Sequence, residues 1–327
     1  MLVVTGAAGF MGNVLVRALL DAGEGPVRSL LRPTSDPLSL AGLDTEIVHG
    51  DINDPASLAA AFTGADTVYH VAGMVSITRG GLARLREINV EGTRNVLAAA
   101  RETGVRRLVY CSSIHAFAVP PGGGCIDEET PVDPARSTGS YDKSKAEATL
   151  LVRQAAAEGL DAVMVHPTGI LGPYDFRPSP MGELILQATR GRIPAFVDGA
   201  YNFVDVRDVA AGMLAAAARG TRGSGYILAG NNVTVKDLLQ TIEAVTGTPA
   251  PRMKVPIGLL KSISFLFPAY YWAIREKPLF TKYSLDTISS GCEMDNEKAA
   301  RELGYQPRPF RETVEDAVRW FRKNGML

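Results

Sequence analysis

The feature that most restricts this chain is the run Gly6-Ala7-Ala8-Gly9-Phe10-Met11-Gly12, set between a four-residue apolar segment and an amphipathic one. Leu2–Thr5 reads as a buried strand, and Phe10–Ala22 carries apolar residues at helical spacing. Glycines three apart at such a junction each answer a steric demand. Gly6 permits the tight turn, Gly9 lets backbone approach a pyrophosphate, and Gly12 lets the helix pack closely on the sheet. Free N–H groups at the helix start would then face the phosphates. Gly6, Ala8, Gly9, Phe10, Met11 and Gly12 are therefore the first candidates for holding a dinucleotide. The alternative is a tight turn without a ligand; the strand–loop–helix context argues against it.

The same alternation continues. Val27–Leu31, Glu46–His49, Thr67–Val71, Leu108–Cys111 and Ala162–His166 are short, rich in Val, Ile and Leu, and bounded by Gly, Asp or Pro. Pro55–Phe62, Leu82–Thr103 and Tyr141–Glu158 read as helices between them. Such alternation implies an α/β chain with a doubly wound parallel sheet of Rossmann type. After Pro167 helix-like pieces dominate (Glu183–Thr189, Val206–Ala218, Val235–Thr246, Asp295–Leu303, Glu312–Lys323), with strands expected only at Phe203–Asp205 and Tyr226–Ala229. The chain is expected to cross back to the sheet around Phe203–Ala229. The expected division is a dinucleotide-binding domain over 1–170 and 203–230 and a smaller, mostly helical substrate domain over 171–202 and 231–327. At 327 residues, two units are the ordinary arrangement.

Bulk properties narrow the function. A net charge of -1 offers no basic excess for phosphate backbones, so nucleic acid is not expected as a partner. Cys111, Cys125 and Cys292 form no disulfide framework and have no zinc-site spacing, and no metal is expected. The uncharged stretch Ser262–Ile274 is too short to span a bilayer and contains Pro268. With a strand pattern from Leu2 leaving no room for a signal peptide, the expected location is the cytoplasm.

Chemistry is suggested further along. Tyr141 and Lys145 stand four apart in a helical segment, hence on one face. An ammonium beside a phenol, with an oxidised nicotinamide near, is expected to lower the tyrosine pKa from about 10. Tyr141 would then exchange a proton with a substrate oxygen while hydride passes to or from the cofactor. Ser112 and Ser113 follow a central strand, where ligands of open parallel sheets bind; Ser113 would stabilise charge on a carbonyl oxygen, with Ser112 in support. Where a strand-end acid would hold the ribose of NAD, the second strand ends in Leu31-Arg32-Pro33. Arg32 suits a 2′-phosphate, so NADP is preferred over NAD, with nearby Asp36 acting against it.

Taken together, these motifs resemble an extended short-chain dehydrogenase/reductase of the NAD-dependent epimerase/dehydratase group, over nearly the whole chain. The resemblance implies further contacts. His49-Gly50-Asp51-Ile52 is similar to the adenine-contacting segment, which points to Asp51 and Ile52. His70-Val71-Ala72-Gly73 resembles the segment along the cofactor, implicating Val71, Ala72 and Gly73. Pro167, Thr168, Gly169 and Ile170 match the turn flanking the nicotinamide, and Asn89 matches the asparagine that completes the catalytic set with Ser113, Tyr141 and Lys145. Phe203–Ala210 matches a signature expected mainly to shape the fold. A homodimer through Leu82–Thr103 and Tyr141–Glu158 is also implied.

The small-molecule substrate is expected to meet Met74, Val75, Ser76, His115, Tyr174 and Tyr201. The apolar segment Ile257–Trp272 reads first as a core helix of the small domain, and second as a lid over an apolar substrate or a membrane or partner contact. The leading functional expectation is a reductase or dehydrogenase of a carbonyl/alcohol pair, similar to dihydroflavonol reductase and hydroxysteroid dehydrogenases. Arg32-Pro33-Thr34-Ser35 and the absence of Arg-Tyr-Phe-Asn near His166-Pro167 support it. The alternative is a nucleotide-sugar epimerase or dehydratase. A non-catalytic dinucleotide sensor is disfavoured because Tyr141 and Lys145 are both present.

Overall fold

The computed structural model describes residues 1–76, 81–120, 122–267 and 281–327. Seven parallel strands form the main sheet in the spatial order Glu46–His49, Val27–Leu31, Leu2–Thr5, Thr67–His70, Arg107–Cys111, Ala162–Pro167, Gly225–Leu228. The order reverses between Leu2–Thr5 and Thr67–His70, which leaves a crevice beyond their carboxyl ends. The central strands are apolar because helices cover both faces. Phe10–Asp21 and Val206–Arg219 pack on one face with Val4, Val109 and Val163. Pro55–Phe62, Gly92–Glu102 and Ser140–Ala157 pack on the other with Val3, Val68 and Leu108. This is the expected Rossmann-type α/β architecture.

A second core gathers Leu171, Ile185, Leu186, Phe203, Val233, Leu238, Val314 and Phe321. Part of it is a three-stranded sheet in which Ala200–Asp205 pairs with Gly169–Leu171 on one side and Asn231–Thr234 on the other. The return to the main sheet therefore runs through the helix Val206–Arg219 and Gly225–Leu228, while Phe203–Asp205 belongs to the small sheet. Gly169–Leu171 and Asn231–Thr234 escaped the sequence reading because three or four residues, two of them Asn, carry no readable alternation. The same holds for Gly124–Ile126, which pairs with Cys292–Met294.

Other departures are local. The expected helix Leu82–Thr103 contains a π-helical turn at Glu87–Glu91, a device common near functional sites. The helix Ile257–Ile263 has no buried residue, and Leu259 and Phe265 are exposed, so this part of the apolar segment is not a core helix. Tyr270, Tyr271 and Trp272 lie outside the described residues. Within Phe203–Ala210, Asp205 accepts from the N–H of Arg207 to cap the next helix and pairs with the Arg207 guanidinium at 2.7 Å. Arg308 binds Asp208 at 2.8 Å, which ties the C-terminal segment to that helix.

Gly6 adopts φ +71°, and a Cβ there would lie 2.7 Å from the Ala72 backbone. At Gly12 the demand is stronger: a Cβ would sit 2.1 Å from the Gly6 carbonyl oxygen. Helix and loop must separate to admit one methyl. We expect Gly12→Ala to cost about 1–3 kcal/mol, read as a lower urea midpoint. An unchanged midpoint would mean that the helix slides away freely.

Candidate active site

A cavity of about 1000 Å³ opens along the carboxyl ends of the main strands and runs into the small lobe. At one end lie Arg32, Asp51 and Ile52; the glycine loop Gly6, Ala8, Gly9, Phe10, Met11 and Gly12 follows, with Val71, Ala72 and Gly73 opposite. The middle is lined by Ser112, Ser113, Tyr141 and Lys145, and by Pro167, Thr168, Gly169 and Ile170. Residues separated by more than 160 positions thus share one wall, in the order a dinucleotide would need.

One buried hydrogen-bond chain holds that wall in register. The Thr5 hydroxyl lies 2.8 Å from His70 Nδ1 and accepts from the N–H groups of Val71 and Ala72. His70 Nε2 lies 3.1 Å from Thr93 Oγ1, and Thr93 donates to the Asn89 carbonyl. The Thr93 proton is thus committed, so His70 Nε2–H donates and Nδ1 accepts from Thr5. Burial keeps this imidazole neutral, with its pKa lowered to about 3. Asn89 does not line the cavity. Its side chain donates to the Met74 carbonyl and Ser144 Oγ, each at 2.9 Å, and accepts from the Met74 N–H. Ser144 donates in turn to the Tyr141 carbonyl. Asn89 is therefore a positioning residue, inside the π-helical turn that aims it inward.

Ser113 and Tyr141 meet at the centre. The Ser113 hydroxyl oxygen accepts from the His115 N–H at 3.2 Å, so its proton can point at Tyr141 or a substrate. Ser112 bonds Thr149 at 2.6 Å and backs the wall from behind. Lys145, buried on the same helix face as Tyr141, donates to the Cys111 carbonyl at 2.9 Å and to Tyr110 Oη at 3.3 Å. Burial raises the Tyr141 pKa above its ordinary value, and Lys145 and Ser113 offset that only in part. Tyr141 is a neutral phenol at neutral pH.

The small-lobe side of the cavity is largely apolar, with Met181, Leu184, Ile193, Ala195, Phe203, Val235, Leu238, Leu239 and Ile288, and it also carries Arg177, Ser179, Tyr283, Ser284 and Thr287. Met74, Val75, His115 and Tyr201 line it as expected; Ser76 and Tyr174 do not. Tyr174 instead lies under the Arg17 guanidinium, 4.6 Å from ring centroid to Cζ, and its carbonyl accepts from Asn13. Its φ of +69° turns the chain after Gly172-Pro173 and directs the ring away from the pocket.

A family model described as the NAD dependent epimerase/dehydratase family matches residues 2–229. The chain belongs to that family. A sterol demethylase protein B of Methylococcus capsulatus is 40% identical, the match covering 99% of each chain. A Synechocystis sp. protein bearing a dihydroflavonol 4-reductase name is 37% identical, over 99% of this chain and 95% of its own. Among solved structures, a nucleoside-diphosphate-sugar epimerase from Pseudomonas aeruginosa superposes with a TM-score of 0.82 at 27% identity, covering 100% of this chain and 98% of that one. This epimerase/dehydratase-family chain thus has reductase-named and epimerase-named relatives alike.

Sequence reasoning missed Asp142 and Tyr283. Tyr283 Oη donates to Asp142 Oδ1 and lies 2.9 Å from His115 Nδ1; His115 Nε2 lies 2.9 Å from Tyr201 Oη. The helix Lys282–Ile288 carries Tyr283, 168 positions from His115, and no local pattern announces that contact. Asp142 was within reach of inspection, as the neighbour of Tyr141.

The neutral histidines set an acid limit. His70 and His166 are buried, and burial lowers both pKa values to about 3, against 6.5 in the unfolded chain. Between these values the unfolded chain binds protons that the native one refuses. Stability is therefore full above about pH 6.5 and is lost as pH falls toward 3. Urea midpoints should drop from pH 7 to pH 5, and His70→Gln should flatten that slope; a midpoint independent of pH would contradict the assignment.

Proposed function

We propose that this protein is an NADPH-dependent reductase of a carbonyl group carried on a bulky apolar substrate. The observation that carries the reading is the apolar chamber next to Tyr141 and Ser113. A nucleotide-sugar would bring a diphosphate and several hydroxyls there, and the nine aliphatic or aromatic side chains outnumber the polar ones, Arg177, Ser179, Ser284 and Thr287, that share the cavity. The sterol and dihydroflavonol names of the two relatives agree with an apolar ring system.

The residues fit a dinucleotide. Gly6, Gly9 and Gly12 carry no Cβ where phosphates would approach the loop, Asp51 and Ile52 would border the adenine, and Lys145 and Pro167–Ile170 would border the nicotinamide. NADP is favoured over NAD by Arg32, which lines the cavity with Ser35. Asp36 does not counter it: its carboxylate caps the turn Pro37–Leu40 and pairs with Arg177 at 3.4 Å. When bound, NADPH supplies the hydride.

The remaining chemistry falls to this chain. The carbonyl oxygen sits between Ser113 Oγ and Tyr141 Oη, and Ser113 donates to it as negative charge grows. Tyr141, kept protonated by burial, gives its proton to that oxygen to complete the alcohol. The Lys145 ammonium offsets the phenolate left behind until solvent returns a proton. Asn89, through Ser144, holds the Tyr141 backbone in place. A homodimer through the helices around Glu91 and Ser140–Ala157 belongs to the same reading, supported by half-exposed Leu150 on the second.

Tyr141→Phe should bind NADPH as the parent does, by fluorescence titration, and lose about a hundredfold or more of carbonyl turnover. Because reduction needs the phenol, the parent rate should fall as pH rises through the raised Tyr141 pKa. Undiminished turnover in Tyr141→Phe would end this mechanism. Arg32→Ala should raise KM for NADPH about tenfold and leave KM for NADH little changed, through loss of one charge-assisted contact of about 1.5–3 kcal/mol. Release of stoichiometric NAD on denaturation would instead favour the epimerase or dehydratase reading that the Pseudomonas aeruginosa likeness suggests.

A further inference from the structure

Beside Tyr141 lies a hydrogen-bond relay that proton transfer to a carbonyl does not use. His115 Nε2 is 2.9 Å from Tyr201 Oη, and Nδ1 is 2.9 Å from Tyr283 Oη and 3.3 Å from Asp142 Oδ1. Tyr283 donates to Asp142, and the other carboxylate oxygen accepts from the Thr138 hydroxyl at 2.8 Å and the Gly139 N–H at 3.0 Å. Burial alone would raise the Asp142 pKa; the bonds from His115, Tyr283 and Thr138 hold it below its ordinary value.

The protons can be counted. Asp142 is ionised and only accepts. Tyr283 has one proton and gives it to Asp142, so its oxygen can only accept from His115. With a single ring proton, the imidazole therefore carries it on Nδ1. Nε2 is bare and takes the single proton of Tyr201. What Tyr201 turns toward the cavity is a pair of oxygen lone pairs.

We propose that Tyr201, set by Asp142 and His115, is an acceptor subsite that recognises a donor group, a hydroxyl or amine, next to the carbonyl that Tyr141 protonates. The proposal rests on the reductase reading. Ring spacing supports the adjacency: the imidazole centroid lies 5.7 Å from the Tyr141 ring and 6.2 Å from the Tyr201 ring, so the two phenols flank one side chain. The fold also makes room for both relay tyrosines. A Cβ at Gly139 would stand 2.7 Å from the Tyr283 ring, and one at Gly169 2.8 Å from the Tyr201 ring. In a largely apolar chamber one oriented acceptor discriminates between donor and acceptor groups. A hydroxyl gains a partner there, while a second carbonyl or a carboxylate meets lone pairs.

The test uses the full chain with NADPH and two matched ketones, benzoin and deoxybenzoin, which differ by the hydroxyl beside the carbonyl. The ratio of their kcat/KM values cancels effects on Tyr141 common to both. We expect the parent to favour benzoin about tenfold, the size of one neutral hydrogen bond. Tyr201→Phe should abolish the preference, and His115→Phe should abolish it as well. A merely structural role would lower both ketones together; an unchanged ratio in Tyr201→Phe overturns the proposal. The His115 tautomer, read from ring ¹⁵N shifts without substrate and assigned by loss in His115→Phe, should be Nδ1–H, and an Nε2–H tautomer also overturns it. Failure of the protein to oxidise NADPH with either ketone would sink the reductase reading, and the tautomer would still decide the polarity of Tyr201.

Discussion

The wall that faces the cavity depends on a row of buried hydrogen bonds with no spare donor. It starts at the N–H groups of Val71 and Ala72, passes through Thr5, His70, Thr93 and Asn89, and reaches the Tyr141 backbone by way of Ser144. From Thr5 to Ser144 each member is buried, and each hydroxyl proton is committed by its neighbour. Reversing one bond strands a polar group in the core, at a cost of about 1–3 kcal/mol. The row therefore has one low-energy arrangement. It joins two sheet strands, the π-helical turn and the helix bearing Tyr141 and Lys145, so the glycine-loop end and the proton-transfer end of the cavity hold a set distance.

That arrangement explains why the first half of the chain was largely legible. Short strands buried on both faces must be continuously apolar, and the helices between them must be amphipathic; Val3, Val4, Val68 and Leu108 could be placed from pattern alone. Gly6 and Gly12 were legible for a steric reason, since neither position has room for a Cβ. Tyr141 and Lys145 needed only helical spacing. Asn89 was reached through resemblance, and its role emerged from geometry: it braces Met74 and Ser144 and touches no part of the cavity.

The second half resisted because its contacts are long-range. Asn231–Thr234 is a strand only because Ala200–Asp205 lies beside it, and Tyr174 packs against the core under Arg17 at a positive φ that its residue type does not foretell. Tyr283 reaches His115 across 168 positions. Burial was equally invisible: helical spacing puts Lys145 beside Tyr141, and the desolvation that raises the tyrosine pKa leaves no sign in the sequence. A charge four residues away is read from sequence; the dielectric around it is not.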